Sequence, residues 1–370
     1  MATETTADFF PLEYSKVLER LENLDVKRYA FSRNYLNGTV SRLSPYISRG
    51  LISLPFVLKK ILSRYTVAEA YKFIFELAWR EYFYRVWEQH GDKIFSDLKH
   101  PQQNVRHYKI PKNVLEARTG IHVIDQAISN LYSSGYMHNH ARMYVASITC
   151  NIAGAHWFVP SKWMYYHLLD GDLASNTLSW QWVAGSFSSK KYYCNQENIN
   201  KYSGLTQTGT FLDTTYENLM SRSTPPEQLK ETCDFNPPLE LPLSDSVYIV
   251  FGKPILLYNH YTLDPNWRNY MDANRILLLD TEHFSRFPVS QKVIDFIVNL
   301  AKTNIKDIQV FKGTFADLKS KAGEEKIFFR KHPAFLHWKG ESDEPEYMFP
   351  DVKTARGSFM NYWKECLRHL

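Results

Sequence analysis

Two carboxylates, an asparagine and two tryptophans lie close together in the segment HLLDGDLASNTLSWQW. Asp170 and Asp172 come where a helix would begin, so they can accept hydrogen bonds from its first N–H groups. Asp172 and Asn176 are four residues apart and share one helical face. Trp180 and Trp182 point about 200° apart on a helix, so one indole faces the core while the other lines a surface or a cleft. The alternative is that this segment has a purely structural role, because DGD is common in turns and tryptophan is common in packed helices.

A second polar cluster falls on the strongest helical pattern of the chain, YTVAEAYKFIFELAWREYFYRVW. Glu76, Trp79 and Arg80 occupy positions i, i+3 and i+4, so a carboxylate, an indole and a guanidinium share one face. Polar groups on an aromatic helix cost several kcal/mol unless each has a partner. The pattern indicates either the wall of a cleft or an internal Glu–Arg network between helices.

Two further segments carry polar groups at helical spacing. Asn139, Arg142 and Met143 repeat the i, i+3, i+4 geometry, and Asp170 is a candidate counter-ion for Arg142. The nearby His138 and His140 are too close in sequence for the helical zinc pattern, so we predict no metal site.

The segment GTVSRLS places hydroxyl groups and Arg42 just before a helical Pro45. Such a helix start is suited to a phosphate, although a capping motif without a ligand would look the same.

The elements that position these residues divide the chain. Apolar periodicity predicts helices over the first part, followed by a Pro- and Ser-rich stretch and then by the strand-like runs SVYIVFG, RILLLD, DIQVFKG and EKIFFRKHPA, which alternate with amphipathic helices. We therefore predict an α+β multidomain protein in which an all-α domain precedes a small α/β domain with a parallel sheet. The predicted ranges are residues 1–222 for the helical domain, 223–244 for a linker, 245–345 for the α/β domain and 346–370 for a C-terminal helix. The predicted helices of the first part are 51–63, 65–87, 120–132, 138–152, 161–169 and 172–184.

Composition narrows the class of protein. The 370 residues carry a net charge of +5, which permits nucleic-acid binding without predicting it. Four scattered cysteines with no C-x-x-C pair argue against a zinc or iron–sulfur site and against a disulfide scaffold. With no long apolar run and no leader pattern, we expect a cytoplasmic monomer that does not contact membranes.

These segments, in this order, resemble the FAD-binding helical domain of the photolyase/cryptochrome family, most closely the cyclobutane pyrimidine dimer photolyases. The shared motifs are SRLS, ELAWREY, GYMHNHARM and DGDLASN followed by WQW. The resemblance runs from about residue 29 to 201 and implies a bound FAD. Members of the family usually begin with an α/β antenna domain, whereas here the α/β-like portion follows the helical part. Whether an antenna chromophore binds is left open.

The resemblance implies roles for individual residues. FAD phosphates would be held by Ser41, Arg42, Leu43 and Ser44, with Tyr29 and Arg80 nearby. Asn139 and Arg142 would contact the flavin, and Asp170 would pair with Arg142. Asp172 would lie beside the isoalloxazine and ribityl part, and Asn176 would face N5. The residues implied to receive a flipped pyrimidine dimer are Glu76, Trp79, Met143 and Trp182.

The family's photoreduction chain maps onto Trp180, nearest the flavin, and then onto Trp157. Asn104 takes the place of the usual outermost tryptophan, and Tyr108, Tyr144 or Tyr165 could substitute for it. The sequence alone does not choose among these three tyrosines.

Two functions follow from the resemblance. The first is blue-light-driven repair of cyclobutane pyrimidine dimers in DNA, with catalytic roles for Glu76, Asn176, Trp180 and Trp157. The alternative is a cryptochrome-like photoreceptor that signals through a partner surface without repair. The basic residues that could contact DNA are Arg106, Lys109, Lys112, Arg118, Lys190 and Lys191.

Overall fold

The computed structural model describes residues 9–245, 247–353 and 357–370. The chain forms two compact units that interleave along the sequence. The first unit comprises the described residues of Met1–Leu24, Ser41–Glu81 and Pro237–Leu370. The second unit comprises Asp25–Val40 and Tyr82–Asn236. Sequence-distant segments therefore share a core, and each unit is described by itself below.

The helices and strands are numbered here in chain order. The α-helices are α1 (Tyr14–Glu22), α2 (Val26–Ser32), α3 (Ser44–Ser48), α4 (Leu54–Leu62), α5 (Val67–His90), α6 (Lys112–Leu115), α7 (His122–Ser134), α8 (Asn139–Ala146), α9 (Phe158–His167), α10 (Leu173–Ala184), α11 (Gln196–Ser203), α12 (Tyr216–Met220), α13 (Thr281–Arg286), α14 (Gln291–Asn304), α15 (Phe315–Ala322) and α16 (Phe359–Cys366). The β-strands are β1 (Ile110–Pro111), β2 (Thr232–Cys233), β3 (Ile255–Tyr258), β4 (Asn274–Asp280), β5 (Gln309–Gly313), β6 (Ile327–Arg330) and β7 (Glu341–Asp343).

The second unit is mainly helical, as its apolar periodicity predicts. Helices α7 to α10 bury a continuous apolar cluster that includes Ile128, Tyr144 and Trp163. A π-helical stretch over Ser147–Ile152 continues α8. Helix α10 begins at an aspartate cap and ends at Gly185, whose positive φ of 83° suits a glycine. These caps fix both ends of the helix that carries the WQW motif.

The first unit contains a five-stranded parallel sheet with the order β5-β4-β3-β6-β7. Strand β3 is buried at every position, as expected for a central parallel strand covered on both faces. The chain runs outward from β3 through β4 to β5 and then returns to β6 on the other side of β3. The predicted parallel sheet is confirmed, strands β5 and β6 lie within the predicted runs, and β4 begins one residue before its run.

The prediction of a strand at SVYIVFG is wrong for the residues that the structure describes, because the central strand is β3, a few residues later. Side chains satisfy the backbone of this segment where a strand ladder would otherwise do so. Tyr248 N donates to Gln309 Oε1 at 2.7 Å, and Val250 N donates to Asn274 Oδ1 at 2.9 Å. The segment therefore lies along the sheet without joining it.

The predicted C-terminal helix is α16, which begins at a cap where Ser358 accepts a hydrogen bond from Asn361 N. Residues 354–356, which the helical pattern included, lie outside the described part of the chain. Phe359, Tyr362 and Trp363 are all buried in the first unit, so α16 belongs to its core. Within the described ranges, no helix has both the length and the apolar character needed to cross a membrane.

Candidate functional site

Arg142 and Asp170 form an ion pair inside the second unit. Arg142 Nη2 lies 3.0 and 2.9 Å from the two Asp170 carboxylate oxygens, and Arg142 Nε donates to Met137 O at 2.8 Å. The Asp170 side chain is only 4% exposed, against 22% for Arg142. The pairing expected between these residues is therefore present, and it fixes the start of α8 relative to the DGD turn.

The start of α10 presents polar groups in the expected register. Asp172 caps the helix by accepting a hydrogen bond from Ser175 N at 2.7 Å. Asn176 follows one turn later, where its side-chain amide donates to Ser161 O at 2.9 Å. The Ser175 hydroxyl is buried and has no hydrogen-bond partner among the described residues. A buried hydroxyl without a partner is costly, so a bound polar molecule at this end of the helix would satisfy it.

The cap of α8 shows the same feature. His138 accepts a hydrogen bond from His140 N, while its buried Nε2 has no partner in the described part of the chain. Burial lowers the pKa of His138 to about 4, so its imidazole is neutral at pH 7. Asn139, at the first position of the helix, is exposed.

The two tryptophans of the WQW motif occupy different environments, as their spacing predicts. Trp180 is 2% exposed, whereas Trp182 is partly exposed with its ring centroid 6.1 Å from that of Tyr192. Met143 is also partly exposed. Trp157 is completely buried, and its indole N–H donates to Asp97 Oδ1 at 2.7 Å.

In the first unit, the SRLS segment makes a turn that leads into the short helix α3. Arg42 has a positive φ of 52°, which is uncommon for a residue with a side chain. Its guanidinium lies 3.7 Å from the Phe9 ring centroid. Leu43 is buried, and Leu43 N donates to Ser41 Oγ at 3.3 Å. The turn thus uses one hydroxyl locally, as in the capping alternative, and Ser44 begins α3.

Helix α5 carries the predicted carboxylate, indole and guanidinium on one face, and each side chain is partly exposed. Arg80 donates a hydrogen bond to the Ser48 hydroxyl. Glu76 Oε1 lies 3.0 Å from Lys72 Nζ, one turn earlier on the helix.

The C-terminal helix α16 packs against α5, a contact that the sequence did not indicate. The Phe359 ring stacks on the Trp79 indole, with centroids 3.6 Å apart and planes 13° apart. Trp363 Nε1 donates to Tyr71 Oη at 2.9 Å. One face of the Trp79 ring is therefore taken by Phe359.

A buried carboxylate on α5 fastens the C-terminal segment. Glu81, 1% exposed, accepts hydrogen bonds from Met348 N at 2.5 Å, Phe349 N at 3.1 Å and Tyr362 Oη at 2.8 Å. In the sequence, the aromatic residues of the capped helix α16 were a weak indication that the C-terminal segment packs against another element.

The remaining predicted residues lie apart from these contacts. Tyr29 is half-buried on α2. Among the basic candidates, Lys109 and Lys112 pair with Asp234 and Glu231 at 3.0 and 2.6 Å. Arg106 donates to Ser223 O, Arg118 pairs with Glu116, Lys191 donates to Gln103 O, and Lys190 is exposed.

The carboxyl edge of the sheet holds polar groups that the sequence analysis did not single out. Asp280, at the end of β4, is fully buried and accepts hydrogen bonds from Trp338 Nε1 at 3.0 Å and from Glu282 N. His337 Nε2 lies 3.0 Å from Asp280 Oδ2. The potential ligand atoms of Asp280, Glu282 and His337 lie close enough together to bind one metal ion. The hydrogen bonds described above also explain why these residues lie together.

Residues 73–214 match the model of the FAD binding domain of DNA photolyase. This segment is therefore similar to the FAD-binding domain of the photolyase/cryptochrome family. A deoxyribodipyrimidine photo-lyase of Buchnera aphidicola is 29% identical over 194 residues, which cover 48% of this chain and 39% of that protein. A cryptochrome DASH of Danio rerio is 32% identical over 170 residues, covering 43% and 32%. A crystal structure of a Synechocystis cryptochrome covers 51% of this chain and 43% of its own at 25% identity, with a TM-score of 0.45.

This photolyase-type domain implies FAD as its cofactor. The chain spans 39% and 32% of the two curated relatives above. The polar groups at the starts of α8 and α10 fit a polar cofactor, since Ser175 Oγ and His138 Nε2 are buried without a hydrogen-bond partner among the described residues. The Arg142–Asp170 pair lies at the same helix ends.

Proposed function

We propose that this protein uses FAD and blue light to repair cyclobutane pyrimidine dimers in DNA. One observation carries the proposal: Glu76 and Trp79 keep partly exposed side chains on successive turns of α5, within the segment that matches the photolyase FAD domain. A carboxylate and an indole suit a flipped base, because one accepts hydrogen bonds and the other stacks. A receptor that does not bind lesions has no use for this pair.

The residues that the resemblance assigns to the cofactor would hold it. Ser41, Arg42, Leu43 and Ser44 would bind its phosphates, with Tyr29 and Arg80 nearby, and Asn139, Arg142, Asp170, Asp172 and Asn176 would surround its ring system. When bound, FAD in its photoexcited, fully reduced form would supply the electron that opens the cyclobutane ring. The protein contributes binding, orientation and exclusion of water. Asn176 is uncharged, so it can hydrogen-bond a reduced ring without adding charge.

The dimer would be received by Glu76, Trp79, Met143 and Trp182. Trp79 would stack on a base of the dimer, and Phe359 packs on one face of its ring. Glu76 beside Lys72 would accept a hydrogen bond from the base edge as a carboxylate. We also propose that the protein acts as a cytoplasmic monomer on DNA.

The test uses purified protein with chemically reduced FAD, oligonucleotides containing one cyclobutane dimer, and blue light. We expect restored pyrimidines with the wild type and at least about tenfold slower repair with Glu76→Gln, at unchanged FAD content. Glu227→Gln, an exchange on the exposed surface away from the candidate DNA contacts, is the matched control. Intact dimers after illumination of FAD-loaded wild type would reject the repair proposal. Single- and double-stranded substrates in parallel would define the preferred strandedness.

A cryptochrome-like photoreceptor is the second candidate. Asn104, at the place of the outer tryptophan, is exposed with a positive φ of 62°, a backbone conformation that asparagine tolerates better than tryptophan. Several related proteins carry the name cryptochrome DASH. Light-dependent binding of a partner by protein that leaves dimers intact would favour this candidate. The absorption spectrum also tests for an antenna, because bands beyond those of flavin would reveal a second chromophore.

A further inference from the structure

Trp157 is a buried indole placed beside a carboxylate. It is completely shielded from solvent, and its N–H donates to Asp97 Oδ1 at 2.7 Å. Gln102 holds this arrangement, because Gln102 N donates to Asp97 Oδ2 at 2.9 Å and Trp157 N donates to Gln102 Oε1 at 2.9 Å. A carboxylate at this distance stabilises a positive charge on an oxidised indole. Because solvent cannot reach the ring, an electron must return to it through the protein.

Two rings connect Trp157 to the surface. The His156 ring centroid lies 5.4 Å from that of Trp157, and the Tyr108 centroid lies 5.0 Å from that of His156, with the last two planes 28° apart. Tyr108 is 68% exposed. Burial lowers the pKa of His156, with Asp97 opposing the shift, so the imidazole between the two rings is neutral at pH 7.

The backbone fixes the exposed tyrosine in this stack. Arg106 N donates to Gly154 O at 2.8 Å, and His156 N donates to His107 O at 2.8 Å. His107 and Ala155 form a parallel bridge between these two segments. The segment before Tyr108 is thus tied to the segment that carries His156 and Trp157, so the ring-to-ring distances are set by backbone pairing.

The other two tyrosines that the sequence allowed are buried. Tyr144 is 0% exposed and donates its hydroxyl to Asn198 Oδ1 at 3.1 Å, and Tyr165 is 2% exposed. An oxidised tyrosine must lose its phenolic proton, and water takes up that proton far better than a neutral amide oxygen such as Asn198 Oδ1. Burial raises the pKa of Tyr144, which opposes that loss. Of the three, Tyr108 alone has its ring in water.

We propose that Tyr108 is the terminal electron donor of photoreduction and that it reduces the oxidised Trp157 through the His156 ring. This inference rests on the proposed flavin function. The oxidant would be the photoexcited oxidised flavin, when bound, acting through the tryptophans. Tyr108 gives one electron to the Trp157 radical cation and its phenolic proton to water, which leaves a neutral tyrosyl radical and an intact indole. An external thiol then donates a hydrogen atom to that radical. Asp97 is a positioning residue that stabilises the charged indole.

The experiment compares wild type, Tyr108→Phe and the control Tyr270→Phe, all purified with oxidised FAD. Phenylalanine keeps the stacked ring but cannot release a proton, and Tyr270 is an exposed tyrosine of the first unit. After a light flash, electron paramagnetic resonance should show a tyrosyl radical in wild type and Tyr270→Phe. In Tyr108→Phe that signal should be absent, with photoreduction roughly tenfold slower. Spin trapping followed by mass spectrometry should place the adduct on Tyr108.

A second variant, Asp97→Asn, should lower the photoreduction yield while leaving the tyrosyl signal on Tyr108. A wild type that forms only tryptophan radicals, or a Tyr108→Phe variant that photoreduces normally, overturns the inference. FAD content and repair by chemically reduced protein are measured on the same samples. Normal repair with an unaffected Tyr108→Phe would reject this inference alone, whereas a tyrosyl radical on Tyr108 without any repair would reject the repair proposal alone.

Discussion

At the scale of single residues, charged groups in this protein form ion pairs, and the contribution of each pair to stability depends on its burial. The Asp170 carboxylate is nearly inaccessible to water, whereas Glu231 in the Lys112 pair is mostly exposed. Removing one member of a buried pair leaves an uncompensated charge, but removing one member of an exposed pair changes little. The two pairs lie in the same unit, so they form a matched comparison.

Asp170→Asn should lower the free energy of unfolding by about 2 kcal/mol, because Arg142 loses its charged partner while part of it still reaches water. Glu231→Gln should change it by less than about 0.5 kcal/mol. Urea denaturation of both variants measures the difference. Equal effects would mean that the Arg142–Asp170 pair does not stabilise the fold.

Lys72→Met should weaken binding of dimer-containing oligonucleotides by roughly two- to fivefold without altering FAD content, because Lys72 holds the Glu76 carboxylate and adds positive charge. Fluorescence anisotropy at two salt concentrations measures the affinity. Lys16→Met is the control, since Lys16 forms a similar pair with Glu19 on exposed surface. If both variants lost the same affinity, the effect would come from net charge and not from the contact between Lys72 and Glu76.

At the scale of elements, the sequence predicted most helices and strands but not which of them pack together. Helix α5 and strands β4 to β6 follow from periodicity and apolar runs. The first strand was misplaced because SVYIVFG has strand-like residues, yet side chains of Gln309 and Asn274 take its N–H groups. A local pattern reports composition and period, whereas strand pairing depends on residues far along the chain.

The same limit applies to the candidate site. The Arg142–Asp170 pair and the Asp172 cap could be predicted, since each requires only a counter-charge or a helix start. The stack of Phe359 on Trp79 and that of Tyr108 on His156 could not, because aromatic rings at these separations carry no pairing signal.

Phe359→Leu should lower the free energy of unfolding by roughly 1 to 2 kcal/mol, because a buried ring stacked on Trp79 is replaced by a smaller side chain. It should also weaken binding of dimer-containing DNA, since the indole loses its support. Denaturation and anisotropy measure the two effects. Met360→Leu, an exposed position of the same helix, should change neither.

At the scale of the whole molecule, buried histidines link stability to pH. His260 is completely buried with neither ring nitrogen hydrogen-bonded to a described residue, and burial lowers its pKa well below the ordinary value. Burial likewise lowers the pKa of His283 to about 3. These histidines charge near pH 6.5 when unfolded but remain neutral when folded. The unfolded state therefore binds more protons as the pH falls, and stability is lost from about pH 6.5 downward.

His260→Phe should flatten this acid-side loss and make the protein more stable than wild type at pH 5, because phenylalanine fits among Tyr261, Phe284 and Phe335 and takes up no proton. Denaturation at pH 7.5 and at pH 5 measures the slope. His122→Phe, at an exposed position, should leave it unchanged. An unaltered slope in His260→Phe would assign the acid sensitivity to other groups.

The three hydrogen bonds to Glu81 have a practical consequence for truncated versions of the protein. A version cut at the apparent end of the helical half, near residue 236, would keep this glutamate and discard these three donors. The Glu81 carboxylate would then have lost these donors at the place where the removed segment had packed. We expect such a truncated protein to aggregate in the expression host. Engineers seeking a minimal light-sensitive module should retain the tail or replace Glu81 with an apolar residue.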